Sequence, residues 1–391
     1  MRIRKRFGLP VLFLSTALLM AACGGGGGGD GAVAPPAAPQ PSGLFVVPDN
    51  EATTPAVLAA FAADNLYYNA HTDANPTGEI RGQLDGAGTI KFATLTGGQE
   101  VPPVTTAAFG GGVLAVDSIT GRVSGFLVTS GLVNATVAHV HNAARGTESG
   151  PVITLTGGPD IWVVPDNTIR LDLVAAFAAD NLYYNAHTTG NPDGEIRGQI
   201  DAAGTVKLTT LSGAQEVPAV ITTALGGGAL SFDTVTGRVG GFFTTGGLVN
   251  STVAHVHNAA RGTESGPVIT LTGGPDLWVV PDNTIRLDLA AAFAADNLYY
   301  NAHTTANPDG EIRGQIDKPE PTKIATLTGA QETPPVTTAA FGGGLLSADG
   351  VTGRVGGFFV SSGLVDQTAA HAHNAARTVP GPIIIPLSAA P

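Results

Sequence analysis

One periodicity constrains this chain more than any other feature. Ala-His-Val-His-Asn-Ala-Ala-Arg occurs at 138–145 and 254–261, and Ala-His-Ala-His-Asn-Ala-Ala-Arg at 370–377. Leu-Tyr-Tyr-Asn-Ala-His-Thr recurs at 66–72, 182–188 and 298–304, and Leu95, Leu211 and Leu327 open three Leu-Thr/Ser-Gly-X-Gln-Glu segments. Every spacing is 116 residues, the size of a domain rather than of a solenoid unit. The phase matters as much as the period. Residues 93–201 and 209–317 are whole modules, 43–85 are the second half of one, and 325–391 are the first half of another. A half-module alone would leave a large apolar face and open strand edges in water. The two halves are therefore expected to complete each other and close the chain into a ring or compact cluster. Head-to-tail self-assembly, with the halves pairing between neighbouring molecules, is the alternative.

Within a module the pattern is mostly strand. Thr136–His141 alternates, while 125–129, 151–155 and 161–164 are β-branched or aromatic runs bounded by Gly and Pro. Thr120-Gly121-Arg122 and Asp193-Gly194 read as turns, and Leu173–Asn181 is the one helical candidate. Gln99–Pro103 reads as an edge strand and turn, because proline removes a ladder donor. Seven or more short strands per module imply an all-β fold. The expected architecture is three Greek-key-like β-sandwich modules in tandem, one reconstituted from the N- and C-terminal halves.

The N-terminus sets the expected compartment. Arg2, Arg4, Lys5 and Arg6 precede an apolar stretch from Leu9 to Met20, with Ala21-Ala22 before Cys23. Residues 1–22 read as a secretory signal peptide. Cys23 resembles a lipobox cysteine, diacylated after cleavage, with Met20 where that pattern usually has leucine. Residues 23–42, rich in Gly, Ala and Pro, form a tether that cannot build a core. The expectation is an exported protein whose N-terminal lipid anchors it in the cell envelope. Gly24 lacks the aspartate that retains some lipoproteins in the inner membrane, which favours the outer one. Cys23 is the only cysteine, so the mature chain has no disulfide and no thiolate ligand. Without the four leader cations, 15 of the 19 Lys and Arg remain against 31 Asp and Glu. That balance excludes a nucleic-acid partner.

The long motifs carry a family resemblance. Leu95-Thr-Gly-Gly-Gln-Glu-Val-Pro-Pro-Val104, Ala138-His-Val-His141, Gly150-Pro151-Val152, and Leu182–Thr188 followed by Asn191-Pro-Asp-Gly-Glu-Ile-Arg-Gly-Gln-Ile200 resemble the CHRD (chordin) domain over nearly all of 43–391. The resemblance implies a β-sandwich-like module in a secreted or surface protein and hands over no activity. A second likeness is to copper–zinc superoxide dismutase: a strand with His-X-His, then Gly-Pro, then a later strand ending in His. That likeness would make His139, His141 and His187 copper ligands. The chain departs from it in having no cysteine, no zinc-ligand loop, no bridging histidine and no arginine aligned with the active-site one.

All nine histidines belong to the repeat: His139, His141 and His187; His255, His257 and His303; and, across the split, His371, His373 and His71. Residues i and i+2 of a strand share a face, so each His-X-His pair can converge with a third imidazole on one ion. With no sulfur ligand available, copper or zinc is the metal such a site suits. The bland alternative is a set of hydrogen-bonded sheet histidines. Glu195 and Arg197 alternate about Ile196 and read as an ion pair, or as support for His187; Glu311 with Arg313 and Glu79 with Arg81 repeat them. No nucleophile elbow, phosphate loop or His-Glu-X-X-His is present. Two function classes follow. One is a non-enzymatic surface protein whose modules bind or scaffold a protein or surface ligand. The other is a three-histidine copper or zinc protein with dismutase-like redox chemistry.

Overall fold

The computed structural model describes residues 43–391. The expectations for the leader, Cys23 and the tether lie outside the described residues. No helix among the described residues is long and apolar enough to cross a membrane.

In the first whole module one antiparallel sheet runs, in spatial order, Pro151–Thr154, Ala135–Asn142, Leu182–Thr188, Ile196–Gln199, Thr89–Thr96, Phe109–Val116, Val123–Ser130, Ile161–Val163 and Thr156–Gly157. A tenth, short strand, Ala202–Ala203, pairs with Thr89–Thr96. Only Leu155 separates the two terminal strands of the sheet in sequence. The sheet therefore curls until its ends meet, a sandwich-like barrel with little open edge. The second whole module repeats the same nine-strand order.

The third sheet is built from both ends of the chain. Leu44–Val46, Leu66–Thr72 and Ile80–Gln83 join Thr322–Thr328, Phe341–Ala348, Val355–Ser362, Gln367–Asn374, Ile383–Pro386 and Ser388–Ala389 in the same nine-strand order. Leu66–Thr72 pairs with Gln367–Asn374, Leu44–Val46 pairs with Val355–Ser362, and Thr328 stands opposite Arg81. Tyr68 donates to the carbonyl of Leu345 at 2.8 Å, and Arg81 donates to those of Val379 and Ala376 at 2.9 and 3.0 Å. The split module thus closes within one chain.

Two local expectations need correction. The helical candidate is a 3-10 turn, Leu171–Leu173, running into a short helix, Val174–Ala178; its counterpart Pro55–Ala62 is longer and capped by Thr54. Gln99–Pro103 is no strand. Gly97–Gln99 makes a 3-10 turn, the two prolines carry the chain on without ladder bonds, and Glu100 turns inward and is buried.

The packing explains why some strands are apolar on both faces. Leu114, Val116, Leu127, Trp162 and Val164 point into their own module, while the alternate residues Val113, Ala115, Phe126, Val128, Ile161 and Val163 enter a core shared by all three modules. Phe126, Phe242 and Phe358 meet there: Phe242 lies 6.0 Å from Phe126 and 6.3 Å from Phe358, edge to face in both cases. Each phenylalanine sits where its neighbour has a glycine. A Cβ on Gly111 would come within 3.0 Å of Phe242, one on Gly227 within 2.5 Å of Phe358, and one on Gly343 within 2.5 Å of Phe126. The relation is cyclic, so the ring is closed. Around the core, Arg145 pairs with Asp201 and Asp282, Arg261 with Asp317 and Asp49, and Arg377 with Asp85 and Asp166. One such network spans each of the three junctions.

Candidate metal centre

The strands that avoid the shared core carry the histidines. Along Ala135–Asn142, Ala138 and Val140 are fully buried in the module while His139 and His141 take the opposite face. On the neighbouring strand Leu182, Tyr184 and Ala186 point inward, leaving Tyr183, Asn185 and His187 beside them. Asn185 stands opposite His139, which puts His187 diagonally across from it. A register shift between His187 and Thr188 bends the strand at that point.

The structure brings all nine histidines into the three expected trios. In each, one ring nitrogen per residue lies within 4.8 Å of the others. His141 donates Nδ1–H to the carbonyl of Ser149 at 2.8 Å, and His187 donates to that of Pro192 at 3.0 Å. The second module repeats both bonds at 2.8 and 3.0 Å through Ser265 and Pro308, and the split module repeats them at 2.9 and 3.2 Å through Gly381 and Pro76. A carbonyl only accepts, so Nδ1 holds the proton and Nε2 is left with a bare lone pair. The Nε2 atoms of His71, His141, His257 and His373 are buried and have no partner. His139 Nδ1 lies 3.1 Å from His187 Nε2, and His255 Nδ1 3.1 Å from His303 Nε2.

Burial lowers the proton affinity of every ring, to about 4 for His139 and His257, where the neighbouring imidazoles push the same way. The rings are therefore neutral at pH 7, the state in which imidazole binds a metal. Three nitrogen donors with an open fourth position suit Cu(II) or Zn(II).

The expected ion pair of Glu195 with Arg197 does not form, nor does that of Glu311 with Arg313 or Glu79 with Arg81. Each side chain has other partners. Arg197 lies 3.6 Å over the Tyr183 ring, which stacks on His141 at 4.9 Å, and donates at 2.7 Å to the carbonyl of Thr147, in the loop that supplies Ser149 to His141. Arg313 and Arg81 lie over Tyr299 and Tyr67 in the same way. Glu195 accepts from Thr188 at 2.7 Å and from Asn191 at 3.3 Å, which holds the turn that presents Pro192 to His187. Glu311 and Glu79 do so for His303 and His71. Arginine and glutamate thus brace different histidines. Alternation along the strand put them on one face but could not show that the arginine's better partners were an aromatic ring and a carbonyl.

One group escaped the sequence reading. Glu100, Glu216 and Glu332 are buried, and desolvation pushes their carboxyls up to about 7. Each meets an asparagine of a histidine strand, Asn185, Asn301 or Asn69, and one oxygen of each partner is left unpaired. The repeated Gln-Glu before proline was the available signal.

The fold and site together define a class: a ring of closed β modules, each presenting three convergent imidazoles. A family model, the CHRD domain, matches residues 22–84, 92–200, 208–316 and 324–391. The chain belongs to the CHRD domain family, and such repeats suggest a binding or scaffolding protein. Neither the curated proteins nor the solved structures contain a match.

Proposed function

We propose that this chain is an exported, lipid-anchored binding protein of the cell envelope whose cargo is copper or zinc, one ion on each histidine trio. One observation carries the reading. In each module three imidazoles converge, with tautomers set by backbone carbonyls, and at least one buried Nε2 is left without any partner: His141 in the first, His257 in the second, and His71 and His373 in the split one. An unpaired buried acceptor is costly, and nine histidines in one repeated arrangement make an incidental origin a poor account. His139, His141 and His187 would hold the ion in the first whole module, His255, His257 and His303 in the second, and His71, His371 and His373 in the split one. A bound copper ion would also supply one-electron chemistry at the open position.

Elemental analysis of the mature chain after metal-replete dialysis tests this. Three equivalents of copper or zinc are expected, and His139→Ala combined with His141→Ala should remove one of them. A wild-type chain without stoichiometric metal refutes the proposal. Superoxide consumption by the copper-loaded chain reads out the redox extension separately.

A further inference from the structure

Each module also carries a pair of buried oxygens whose chemistry differs from that of the imidazoles. We propose that Glu100 with Asn185, Glu216 with Asn301 and Glu332 with Asn69 form three further sites, each for a hard cation of the Ca²⁺ class. These sites stand whether or not the histidines hold copper or zinc.

Glu100 follows the Gly97–Gln99 turn and is 7 % exposed; Asn185 lies mid-strand in Leu182–Thr188 and is 4 % exposed. The other two pairs are buried to the same degree. In every module the asparagine Nδ2 donates to the glutamate Oε2 at 3.5 Å, a long bond. The remaining oxygens, Oε1 of each glutamate and Oδ1 of each asparagine, have no partner at all. Burying an unpaired acceptor is costly, and the chain does it twice in each of three modules. The two oxygens of a pair also face one point. A Cβ on Gly194 would come within 2.5 Å of Asn185 Oδ1 and 2.8 Å of Glu100 Oε1. One on Gly310 would come within 2.5 and 2.8 Å of Asn301 Oδ1 and Glu216 Oε1, and one on Gly78 within 2.5 and 2.7 Å of Asn69 Oδ1 and Glu332 Oε1. Glycine keeps side-chain atoms away from both oxygens, and they lie close enough for one ion to touch both.

Donor chemistry selects the occupant. An ionised carboxylate and an amide oxygen only accept, so whatever satisfies both must bring positive charge or hydrogen-bond donors. Oxygen donors of this kind suit Ca²⁺ or Mg²⁺, whereas imidazole suits copper and zinc. Ca²⁺ fits better than Mg²⁺, because it accepts an irregular shell of roughly 6–8 oxygens and fills the rest with water. In the second module a pocket of about 560 Å³ reaches Glu216 and Asn301, with His257, Glu264, Asp309 and Arg313 also in its wall. It gives the ion a way in and room for its waters. Arg313 is committed to the Tyr299 ring and to the carbonyls of Thr263 and Ala260, and the three carboxylates of the wall outnumber it.

The test is luminescence of Tb³⁺, a stand-in for Ca²⁺ whose emission is excited through a nearby tyrosine, with Ca²⁺ as the competitor. Tyr299 lines the pocket, and Tyr183 and Tyr67 hold the same place under Arg197 and Arg81. The mature chain, free of copper and zinc, is titrated at about pH 8, where carboxyls that burial pushes up to about 7 are mostly ionised. Three equivalents of emission that Ca²⁺ displaces are expected, with a Ca²⁺ dissociation constant of roughly 0.1–1 mM, as in weak extracellular modules. Glu216→Gln should remove one equivalent, and Glu100→Gln, Glu216→Gln and Glu332→Gln together should remove all three; a cooperative melting transition shows that the variant still folds. His139→Ala with His141→Ala should leave all three in place. No Ca²⁺-displaceable emission, or emission that survives the triple variant, would overturn the sites. So would loss of an equivalent in the histidine variant, which would put the ion on the imidazoles. Copper and zinc stoichiometry is read separately, and its failure would leave these sites standing.

Discussion

Replacing Phe242 by alanine removes the ring that joins the three modules. Phe242 is fully buried, packs on Phe92, Phe126 and Phe358, and fills the space opened by Gly111. A buried Phe→Ala change costs about 3–5 kcal/mol, the lost transfer energy plus the cavity left behind. How that loss appears depends on the cooperative unit. If the ring unfolds as one body, about 4 kcal/mol against the unfolding entropy of about 350 residues lowers the midpoint by roughly 5 °C. If each module melts alone, the same loss against about 116 residues lowers one transition by roughly 16 °C and leaves the others in place. Scanning calorimetry of the metal-free mature chain separates the two. The shared core predicts a single transition, a shift near the smaller value, and similar shifts for Phe126→Ala and Phe358→Ala. The double variant Phe126→Ala with Phe242→Ala should cost less than the sum of the singles, because the rings touch. One displaced transition beside two unmoved ones would refute the cooperative ring.

The metal-free chain should lose stability on both sides of mild acidity. The fold favours neutral imidazoles, so stability from the trios is complete above the ordinary value of 6.5 and is lost as pH falls toward about 4, the value for His139 and His257. The buried carboxyls act in the opposite sense: their contribution is complete below 4.5 and is lost as pH rises through about 7. Glu100→Gln, Glu216→Gln and Glu332→Gln together keep the protonated shape and should flatten only the alkaline side in a urea-midpoint profile; a persisting alkaline fall would count against it. Light scattering of the mature chain should give the mass of a single copy at all concentrations, and a mass that grows with concentration would argue for pairing between chains. Cys23→Ser should move the protein from the membrane pellet to the soluble fraction of an envelope preparation, whereas unchanged pelleting would rule out the lipid anchor.

Much of this molecule was present in its sequence because repetition and alternation are one-dimensional. The spacing of His139, His141 and His187 and its two echoes grouped the trios, and the out-of-phase ends, Leu44–Asp85 and Ala325–Pro391, announced a third module divided between the termini. Period two also separates the inward Ala138 and Val140 from the outward His139 and His141. It does not say what covers the second face of a strand. Phe126 and Val128 alternate with Leu127 in an unbroken apolar run, and only the fold shows that one set fills the module while the other meets Phe242 across a junction. Likewise Arg197 and Glu195 share a strand face, yet Tyr183 and the Thr147 carbonyl claim the first while Thr188 and Asn191 claim the second. A side chain's partner is decided by distance in space, which the order of residues along the chain does not carry.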